Sequence, residues 1–449
     1  MSQSHARERR RRKRLPEEPV EVTVEALSDE GRGIAFVDDR AVFIDNALAG
    51  ERLRFKYSRL TSKVAEGRAL EILEASSDRV EPRCSAYGRC GGCSLQHMDS
   101  HAQILMKQQS LLRQLERIGQ VVPDTVLPAI TADVWGYRGK ARLGVRYVAK
   151  KGKVLVGFRE KGSSFITETQ RCEILHPAVG SLIQDLSACI SQLELKRRIP
   201  QIEVAVGDNQ TVLVLRHLEE MPPSDREQLA AWAQSRNLVI MLQAGSPQTL
   251  EPLWPLSVEP LFYALPDYGI RIEFEAGDFT QVNSQLNRNM IKQAIDLLQL
   301  GPDDTVLDLF SGLGNFSLPM ARQCAWVSAV EGSQIMVRKA RANAILNGIA
   351  NVDFHYADLY SDEVMHTQWV KQTYNKILLD PPRSGAANIL HYIRAMRAER
   401  IVYVSCHPAT LARDANVLVN ELGYRMTQAG VMDMFPHTAH VESIAVFEI

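Results

Sequence analysis

The spacing of apolar and polar residues divides the chain into segments of different predicted structure. Residues 17–75 carry short alternating stretches such as Val20–Val24, separated by turn signals at Glu30–Gly33 and Leu48–Glu51. Short strands at this spacing are typical of a small closed β-barrel. The pattern therefore predicts an all-β domain over residues 16–76, after a basic tail at residues 1–15.

In residues 99–119, apolar side chains recur at helical spacing, after Asp99 and Ser100 and before Gly119. This pattern predicts a helix that packs on the C-terminal domain. Residues 180–262 predict further α/β structure, with turns near 219–224 and 246–255. We assign residues 77–265 to a central α/β domain.

Residues 135–171 have the pattern of antiparallel strands with interleaved aromatic residues. Arg138, Lys140, Arg142 and Arg146 fall at even spacing, so a strand would place them on one face. Basic and aromatic side chains together on a sheet suit single-stranded RNA, through phosphate contacts and base stacking. A solvated sheet face is the alternative reading.

Residues 266–449 contain short, nearly continuous apolar runs, as expected for buried parallel strands. The runs are Thr305–Phe310, Trp326–Val330, Val352–Tyr356, Lys376–Leu379 and Ile401–Val404, with a strand pair at the end of the chain. We expect a doubly wound α/β domain with ligands at the carboxyl ends of its strands. Ser405 is expected to end the last run, and Pro408 to begin a helix.

Composition and charge narrow the class of protein. The 449 residues are 45% hydrophobic and 23% charged, as in ordinary globular proteins. We find neither a membrane span nor a secretory signal, and therefore expect a cytoplasmic protein. Residues 1–14 carry +6 and residues 135–171 carry +8, although the whole chain carries −1. Concentrated positive charge indicates polyanion contact, although a tail of this kind can also be merely solubilising.

Three cysteines lie within ten residues, at Cys84, Cys90 and Cys93, and Cys172 provides a fourth thiol. Thiolates at this C-x5-C-x2-C spacing can hold three corners of a cubane, and a distant cysteine can close the site. Zinc is the competing metal, but zinc sites usually show two short cysteine pairs. We predict a [4Fe–4S] cluster that stabilises the central domain.

A glycine turn at Ser311–Asn315 follows the first buried strand of the C-terminal domain. Classical dinucleotide sites require a third glycine, which this turn lacks. Acids follow the next strands, at Glu331, Asp358 and Asp380. Acids in this register suit an adenosyl ligand such as S-adenosylmethionine better than NAD. Arg383 stands where amine-methylating enzymes carry an aromatic residue, which argues against an exocyclic amine target.

Cys406 is placed at the carboxyl end of a strand and is a candidate nucleophile. A buried cysteine acting as a small apolar side chain is the alternative. Glu442 lies on the final strand pair, where a carboxylate can either face solvent or act as a base near a crevice.

These residues together resemble the RNA 5-methyluridine methyltransferases. The sequence DPPRSG, continued by IVYVSCHPAT, matches one family signature, and MDMFPHTAHVE matches a second. Residues 25–51 resemble a TRAM domain, an OB-like RNA-binding barrel, although a barrel without a ligand is the alternative. With the four cysteines, the resemblance narrows to the branch that acts on 23S rRNA. Methylation of tRNA, or a non-catalytic RNA-binding iron–sulfur protein, remains the alternative.

The resemblance implies a role for particular residues. Cys406 would be the nucleophile and Glu442 the general base, in a protein that acts as a monomer and forms a covalent adduct with uracil. Family members usually carry Asn after the nucleophile, where this chain has His407. The cofactor would be S-adenosylmethionine, held by Gln281, Phe310, Asn315, Glu331, Asp358 and Asp380. The cluster ligands would be Cys84, Cys90, Cys93 and Cys172.

Overall fold

The computed structural model describes residues 15–246 and 249–449, so the predicted basic tail lies outside the described residues except for Leu15. The contacts between residues divide the chain into two compact units. The first comprises Pro82 and the described residues before it, Ser94–Met106 and His437–Ala439, and the second comprises Arg83–Cys93, Lys107–Pro436 and His440–Ile449. None of the described helices is long and apolar enough to cross a membrane.

The first unit contains a six-stranded β-sheet that forms the predicted all-β domain. Its strands are β1 (Val20–Thr23), β2 (Ala26–Leu27), β3 (Gly33–Val37), β4 (Arg40–Asp45), β5 (Arg52–Leu60) and β6 (Ala65–Glu74). They are ordered β1-β5-β6-β4-β3-β2. Leu53 and Phe55 are buried on one face of β5, and Arg54 points to solvent, because side chains alternate across a strand.

The basic residues of this unit lie among acids. Arg32 contacts Glu66 at 3.0 Å, and Arg54 contacts Glu21 at 3.4 Å. Arg59 approaches Glu66 at 3.9 Å. Exposed pairs of this kind add little stability, but they neutralise much of the positive charge that the sequence offers to a polyanion.

Helix α1 (Ser100–Gln114) follows the barrel, as predicted. The Asp99 carboxylate accepts hydrogen bonds from the backbone N–H groups of His101 and Ala102 at 2.9 and 3.4 Å, which satisfies two donors of the first turn. A π-helical turn, Leu115–Gly119, extends the helix, and Gln120 ends it in the left-handed conformation at φ 52°. Within the second unit, Gly119 accepts a hydrogen bond from Asn416 at 2.9 Å.

The central part of the second unit is a six-stranded sheet ordered β13-β12-β11-β10-β8-β9. After β7 (Thr125–Val126), which pairs elsewhere, its strands are β8 (Lys140–Val148), β9 (Lys153–Gly157), β10 (Gln201–Val206), β11 (Thr211–His217), β12 (Val239–Ala244) and β13 (Leu250–Trp254). This part of the chain also contains helices α2 (Pro177–Gly180) and α3 (Ile183–Gln192), which follow β9, and α4 (Pro223–Arg236), which follows β11. The turn predicted at 246–255 is wrong in part, because β13 pairs with β12 there despite its proline.

A two-stranded ribbon and a larger sheet complete the second unit. The ribbon is β14 (Leu261–Leu265) with β15 (Ile270–Phe274). The larger sheet adds β16 (Thr305–Leu309), β17 (Trp326–Glu331), β18 (Val352–Tyr356), β19 (Lys376–Leu379), β20 (Arg400–Ser405), β21 (Arg425–Met432) and β22 (Glu442–Glu448). Its helices are α5 (Ser284–Leu298), α6 (Ser317–Ala321), α7 (Gln334–Leu346), α8 (Ala387–Met396) and α9 (Pro408–Asn416).

The larger sheet has the order β18-β17-β16-β19-β20-β22-β21-β7. Strands β16 to β20 pair in parallel, whereas β22 lies antiparallel between β20 and β21. The chain reverses its direction of travel across the sheet between β16 and β19, the kind of switch point where α/β proteins bind ligands. The predicted α/β domain is therefore present, with Ser405 inside β20 rather than beyond it.

The packing of the barrel core can be tested at Gly67. A Cβ built there would lie 2.3 Å from Cδ2 of the Phe55 ring. We expect Gly67→Ala to destabilise the barrel by about 1–3 kcal/mol through overpacking. Hydrogen exchange of peptides from β5 and β6 should become faster. Gly301→Ala is the matched control, because its Cβ would meet nothing closer than 3.7 Å, and unchanged exchange in Gly67→Ala would contradict the packing.

Candidate active site

The pairing of β20 with β22 brings Cys406 and Glu442 together. Ser405 pairs with Ser443 in this antiparallel register. The residue that follows β20, Cys406, therefore lies beside Glu442, the residue that precedes Ser443, and the Glu442 charge acts on its thiol. Cross-strand neighbours in such a pair have Cα atoms about 4.5–5.5 Å apart. The structure thus brings together two residues that the sequence separates widely.

Cys406 is half-buried at the end of β20. Burial, followed by the nearby charges of Glu442 and Asp380, raises the pKa of its thiol to about 11, and Arg383 acts in the opposite direction. The thiol is therefore protonated at neutral pH. A thiolate at this position would need a neighbouring base or added positive charge.

His407 occupies the position where relatives of the resembled family carry Asn. Its Nδ1 accepts a hydrogen bond from the backbone N–H of Thr410 at 3.3 Å, so the ring caps α9. The backbone N–H of His407 donates to Ser405 Oγ at 3.1 Å. The substitution therefore keeps a capping bond directly beside the candidate nucleophile.

Glu442 and Asp380 form the acidic side of the same site. Burial, followed by the charge of Asp380, raises the pKa of Glu442 to about 8, whereas Arg383 and Lys107 lower it. Burial raises the pKa of Asp380 to about 7. Arg383 also contacts His440 Nδ1 at 3.2 Å. A carboxyl group that titrates near neutrality can both accept and return a proton.

The loop that carries Asp380 and Arg383 is tied to α9. Tyr403 donates a hydrogen bond to Asp414 Oδ2 at 2.6 Å, and the backbone N–H of Ala386 donates to the same oxygen at 2.7 Å. Arg413 reaches the Ser384 carbonyl at 2.9 Å. The buried Asp414 carboxylate, whose hydrogen bonds are made, therefore fixes this loop relative to β20, the strand that Cys406 follows.

The glycine turn after β16 lies at the same carboxyl edge of the sheet, beside the end of β19, where open α/β sheets have their ligand-binding crevice. Phe310, Gly312 and Gly314 all adopt positive φ, at 69°, 55° and 90°. Left-handed backbone is uncommon for phenylalanine and marks a constrained position. The Glu331 carboxylate accepts the Gly312 N–H at 3.0 Å and the Ser333 N–H at 2.8 Å, which joins the ends of the first two parallel strands.

Two buried polar atoms beside this turn lack a hydrogen-bond partner among the described residues, namely Asp308 Oδ1 and Ser311 Oγ. Burial raises the pKa of Asp308 to about 7, and the charges of Asp380 and Glu331 contribute in the same direction. Buried polar atoms without partners are rare and are commonly satisfied by a water molecule, an ion or a polar ligand. The crevice therefore fits a polar ligand that carries positive charge.

The remaining predicted cofactor residues differ in their surroundings. The Asn315 amide exchanges hydrogen bonds with Asn287 at 3.0 and 3.1 Å and accepts one from Tyr263 at 2.8 Å. Gln281 is half-buried in the turn before Asn283, which caps α5. Asp358 is exposed and accepts the Tyr360 N–H at 3.0 Å.

Three of the four predicted cluster ligands, Cys84, Cys90 and Cys172, line one cavity of about 20 Å³. Burial is the main cause that raises the pKa values of Cys84 and Cys172, to about 11 for Cys172. No group of three or more potential ligands in residues 15–246 and 249–449 forms a metal site, so the structure does not show the predicted cluster. The converging thiols are nevertheless suitable donors for a thiophilic metal.

The predicted basic face of the central sheet is only partly exposed. Arg142 and Arg146 are exposed on β8, but Arg142 contacts Glu203 at 2.9 Å. Lys140 instead donates to the carbonyl of Ala276 at 2.7 Å. Arg138 lies 5.7 Å over the Phe158 ring. Even spacing correctly predicted that Lys140, Arg142 and Arg146 share one face of β8, but only the two arginines are exposed there.

Sequence reasoning did not select Asp308 or Lys107 as site residues. Asp308 begins the D-x-x-x-G-x-G pattern, so its position before the glycines was an available signal. Lys107 carried no comparable signal beyond its place on the apolar side of an amphipathic helix. Its importance comes from contacts with residues more than 300 positions away.

A doubly wound sheet with acids and a thiol at its carboxyl edge is the arrangement in which α/β proteins bind nucleotide-like ligands. The family model for tRNA (uracil-5-)-methyltransferases matches residues 136–448, and the TRAM domain model matches residues 13–70. The chain therefore belongs to the tRNA (uracil-5-)-methyltransferase family. The family and the TRAM domain predicted from the sequence are confirmed.

Full-length relatives confirm the narrower resemblance. Proteins named 23S rRNA (uracil(1939)-C(5))-methyltransferase RlmD, from Alkalilimnicola ehrlichii and Methylococcus capsulatus, are 48% and 49% identical. The alignments cover 98% of this chain and 98% and 99% of those proteins. A solved Pyrococcus abyssi tRNA (uracil-54, C5)-methyltransferase, bound to S-adenosyl-L-homocysteine, has a TM-score of 0.74 at 20% identity, covering 95% of this chain and 100% of its own.

The crowded acids of the crevice predict a stability effect. The pKa of Asp380 is raised in the folded state, so ionising this carboxyl group lowers the stability of the folded protein. This loss of stability is absent below the unfolded pKa of 3.8 and complete above about pH 7. We expect Asp380→Asn to stabilise the ligand-free protein by about 1 kcal/mol or more at pH 8, and by less at pH 5. Melting temperatures at both pH values test this.

The exposed Asp303→Asn variant controls for loss of an acid in the same domain. Its stability change should not grow between pH 5 and pH 8. An Asp380→Asn variant that is equally or less stable at pH 8 would contradict the assigned burial of this carboxyl group.

Proposed function

We propose that this protein transfers the methyl group of S-adenosylmethionine to C5 of one uridine in 23S rRNA. The observation that carries the proposal is the placement of Cys406 beside Glu442 at the edge of an acidic crevice. The RlmD relatives support the choice of 23S rRNA, and their name indicates uracil 1939 as the target.

The chemistry of uracil explains why a thiol is needed. C5 is a weak nucleophile, but when the Cys406 thiol gives its proton to solvent and the resulting thiolate adds to C6, the π electrons of the C5–C6 double bond move to C5 and O4. S-adenosylmethionine supplies the electrophilic methyl group that C5 accepts. Cys406 thus bonds temporarily to the base and leaves when the double bond forms again.

Glu442 is the proposed base of the second half of the reaction. After methylation, C5 carries both the methyl group and a proton. Glu442 removes that proton, its electron pair restores the double bond, and the sulfur departs from C6. A pKa of about 8 makes the carboxylate a strong enough base for this step, and the ionised fraction that accepts the proton grows as pH rises through 8.

The cofactor is proposed to occupy the crevice between the ends of β16 and β19. Contacts are assigned to Gln281, Phe310, Asn315, Glu331, Asp358 and Asp380. Positive charge on the cofactor's sulfur would offset the cost of ionising Asp308 and Asp380, whose pKa values are both raised to about 7. The bonds of Asn315 with Asn287 and Tyr263 orient its amide for this role.

The RNA substrate must present its uridine outside the base stack, because C6 is inaccessible within a helix. Arg146 on the central sheet and the TRAM domain are the proposed contacts to the surrounding RNA. Purified 23S fragments and tRNA, assayed side by side, distinguish this substrate from the tRNA named by the family model. Methylation of tRNA alone would reject the 23S assignment.

The covalent mechanism predicts different defects for its two central residues. We expect Cys406→Ala to abolish both methyl transfer and RNA attachment, because no sulfur remains to add to C6. We expect Glu442→Gln to methylate the base but retain it as an adduct, because the C5 proton is not removed. Denaturing gels with labelled RNA measure attachment, and nucleoside mass spectrometry measures methylation.

The buried Cys324, which donates to the Trp326 carbonyl outside the crevice, provides the matched cysteine control. Cys324→Ala should still attach RNA. RNA containing 5-fluorouracil should form a stable adduct with the unmodified protein, since fluorine at C5 cannot leave as a proton does. Absence of that adduct would reject the mechanism.

We also propose that Cys84, Cys90, Cys93 and Cys172 hold a [4Fe–4S] cluster. Their support is the cysteine spacing and the convergence of three thiols on one cavity. The surrounding backbone is already joined: Gly91 donates to the Arg159 carbonyl and Lys161 to the Arg89 carbonyl, both at 2.8 Å. A bound cluster would supply a covalent link between the cysteine loop and the sheet beside Cys172.

The cluster predicts a measurable metal content. Protein purified without oxygen should contain about four iron and four sulfide per chain, and Cys90→Ser should lose both, together with thermal stability. Elemental and acid-labile sulfide analysis provides the measurement. Cys189→Ser controls for loss of a thiol outside the group. One zinc per chain without sulfide would reject the iron–sulfur assignment in favour of a structural zinc site.

A further inference from the structure

A fully buried lysine lies behind the candidate base. The Lys107 side chain is 0% exposed, and its Nζ donates to Asp433 Oδ1 at 2.6 Å and to the Phe435 carbonyl at 3.0 Å. Asp433 immediately follows β21, whose last residue, Met432, is paired with Glu442. The buried ion pair therefore lies next to Glu442, the proposed base in the last step of the reaction.

Stability alone gives a weak reason for this ion pair. Removing two charges from water costs several kcal/mol for each ion, and apolar replacements of buried pairs are often neutral or stabilising. Burial lowers the pKa of Lys107, whereas Asp433 and Glu442 favour its charged form. A cation held at such a cost beside a site carboxyl group calls for a function at that site.

The charges that face Glu442 come from several elements. Asp380, after β19, opposes ionisation of Glu442, whereas Arg383 in the following loop and Lys107 on α1 favour it. The Cys406 thiol lies opposite on β20. Arg383 is exposed to solvent, so water and salt screen its charge, but Lys107 acts through the protein interior. Burial lowers the pKa of neighbouring His440, and Arg383, Lys107 and Arg138 act in the same direction.

We propose that Lys107, held by Asp433, is a positioning residue that keeps Glu442 available as a carboxylate to accept the C5 proton. This inference rests on the proposed function. Lys107 acts through other groups: it fixes the Asp433–Phe435 segment and, although paired with Asp433, places behind the base a positive charge that solvent does not screen. Without it, burial and Asp380 are opposed by the solvent-exposed Arg383, and Glu442 keeps its proton to a higher pH.

The expected defect is confined to the second half of the reaction. Without Lys107, sulfur addition and methylation proceed, but the methylated base leaves slowly because the C5 proton has no acceptor. Release should recover as pH rises, since Glu442 then ionises without help. We expect the pH midpoint for release to move upward by about one unit, which is about tenfold slower release at pH 7.

The test uses the full chain and a 23S fragment under single-turnover conditions between pH 6 and pH 9.5. Lys107→Met removes the cation, Lys107→Met with Asp433→Asn removes both charges, and Lys107→Arg retains positive charge. Lys292→Met, which breaks an exposed pair with Asp296 at 2.9 Å, is the control for loss of a lysine. Denaturing gels follow the adduct, and nucleoside mass spectrometry follows released methylated RNA.

A raised midpoint in both neutral variants, with Lys107→Arg and Lys292→Met near the unmodified protein, supports the proposal. If Lys107→Met does not fold, because it leaves Asp433 buried and unpaired, the double variant decides. Slower release with an unchanged midpoint would show a merely structural role and overturn the inference. Absence of methyl transfer or adduct in the unmodified protein would instead reject the proposed function.

Discussion

The antiparallel insertion of β22 between β20 and β21 is the constraint on which the site depends. Hydrogen bonding between backbones fixes which residues face each other, and the Ser405–Ser443 pair leaves Cys406 and Glu442 as the next neighbours. A slip of one residue would turn every side chain of β22 to the opposite face. The buried apolar residues of β22 therefore determine which residues meet at this edge of the sheet, as well as contributing stability.

The crevice combines this geometry with an unfavourable distribution of charge. Asp308, Asp380 and Glu442 all have raised pKa values in the ligand-free protein, and Cys406 remains a thiol. Sites of this kind sacrifice stability of the empty protein for affinity toward a complementary ligand. Positive charge from a ligand, from Arg383 or from the protein interior is what can make these groups reactive.

Much of this arrangement could be predicted from sequence, because local patterns determine where strands end. The apolar runs before Glu331, Asp380 and Cys406 placed these residues correctly at one edge of the sheet. Contacts made across long sequence separations could not be predicted in the same way. The ion pairs of Arg32, the strand at Leu250–Trp254 and the burial of Lys107 all depend on tertiary partners that periodicity does not encode.

The position of β22 also has a consequence for biosynthesis. Ribosomes release a chain in sequence order, yet residues 442–448 fill a gap between two strands that emerge earlier. Until they arrive, β20 and β21 each present an unpaired edge, which favours association with other chains. The thiol and the carboxylate can therefore come together only after residue 442 and the strand that it begins have been synthesised.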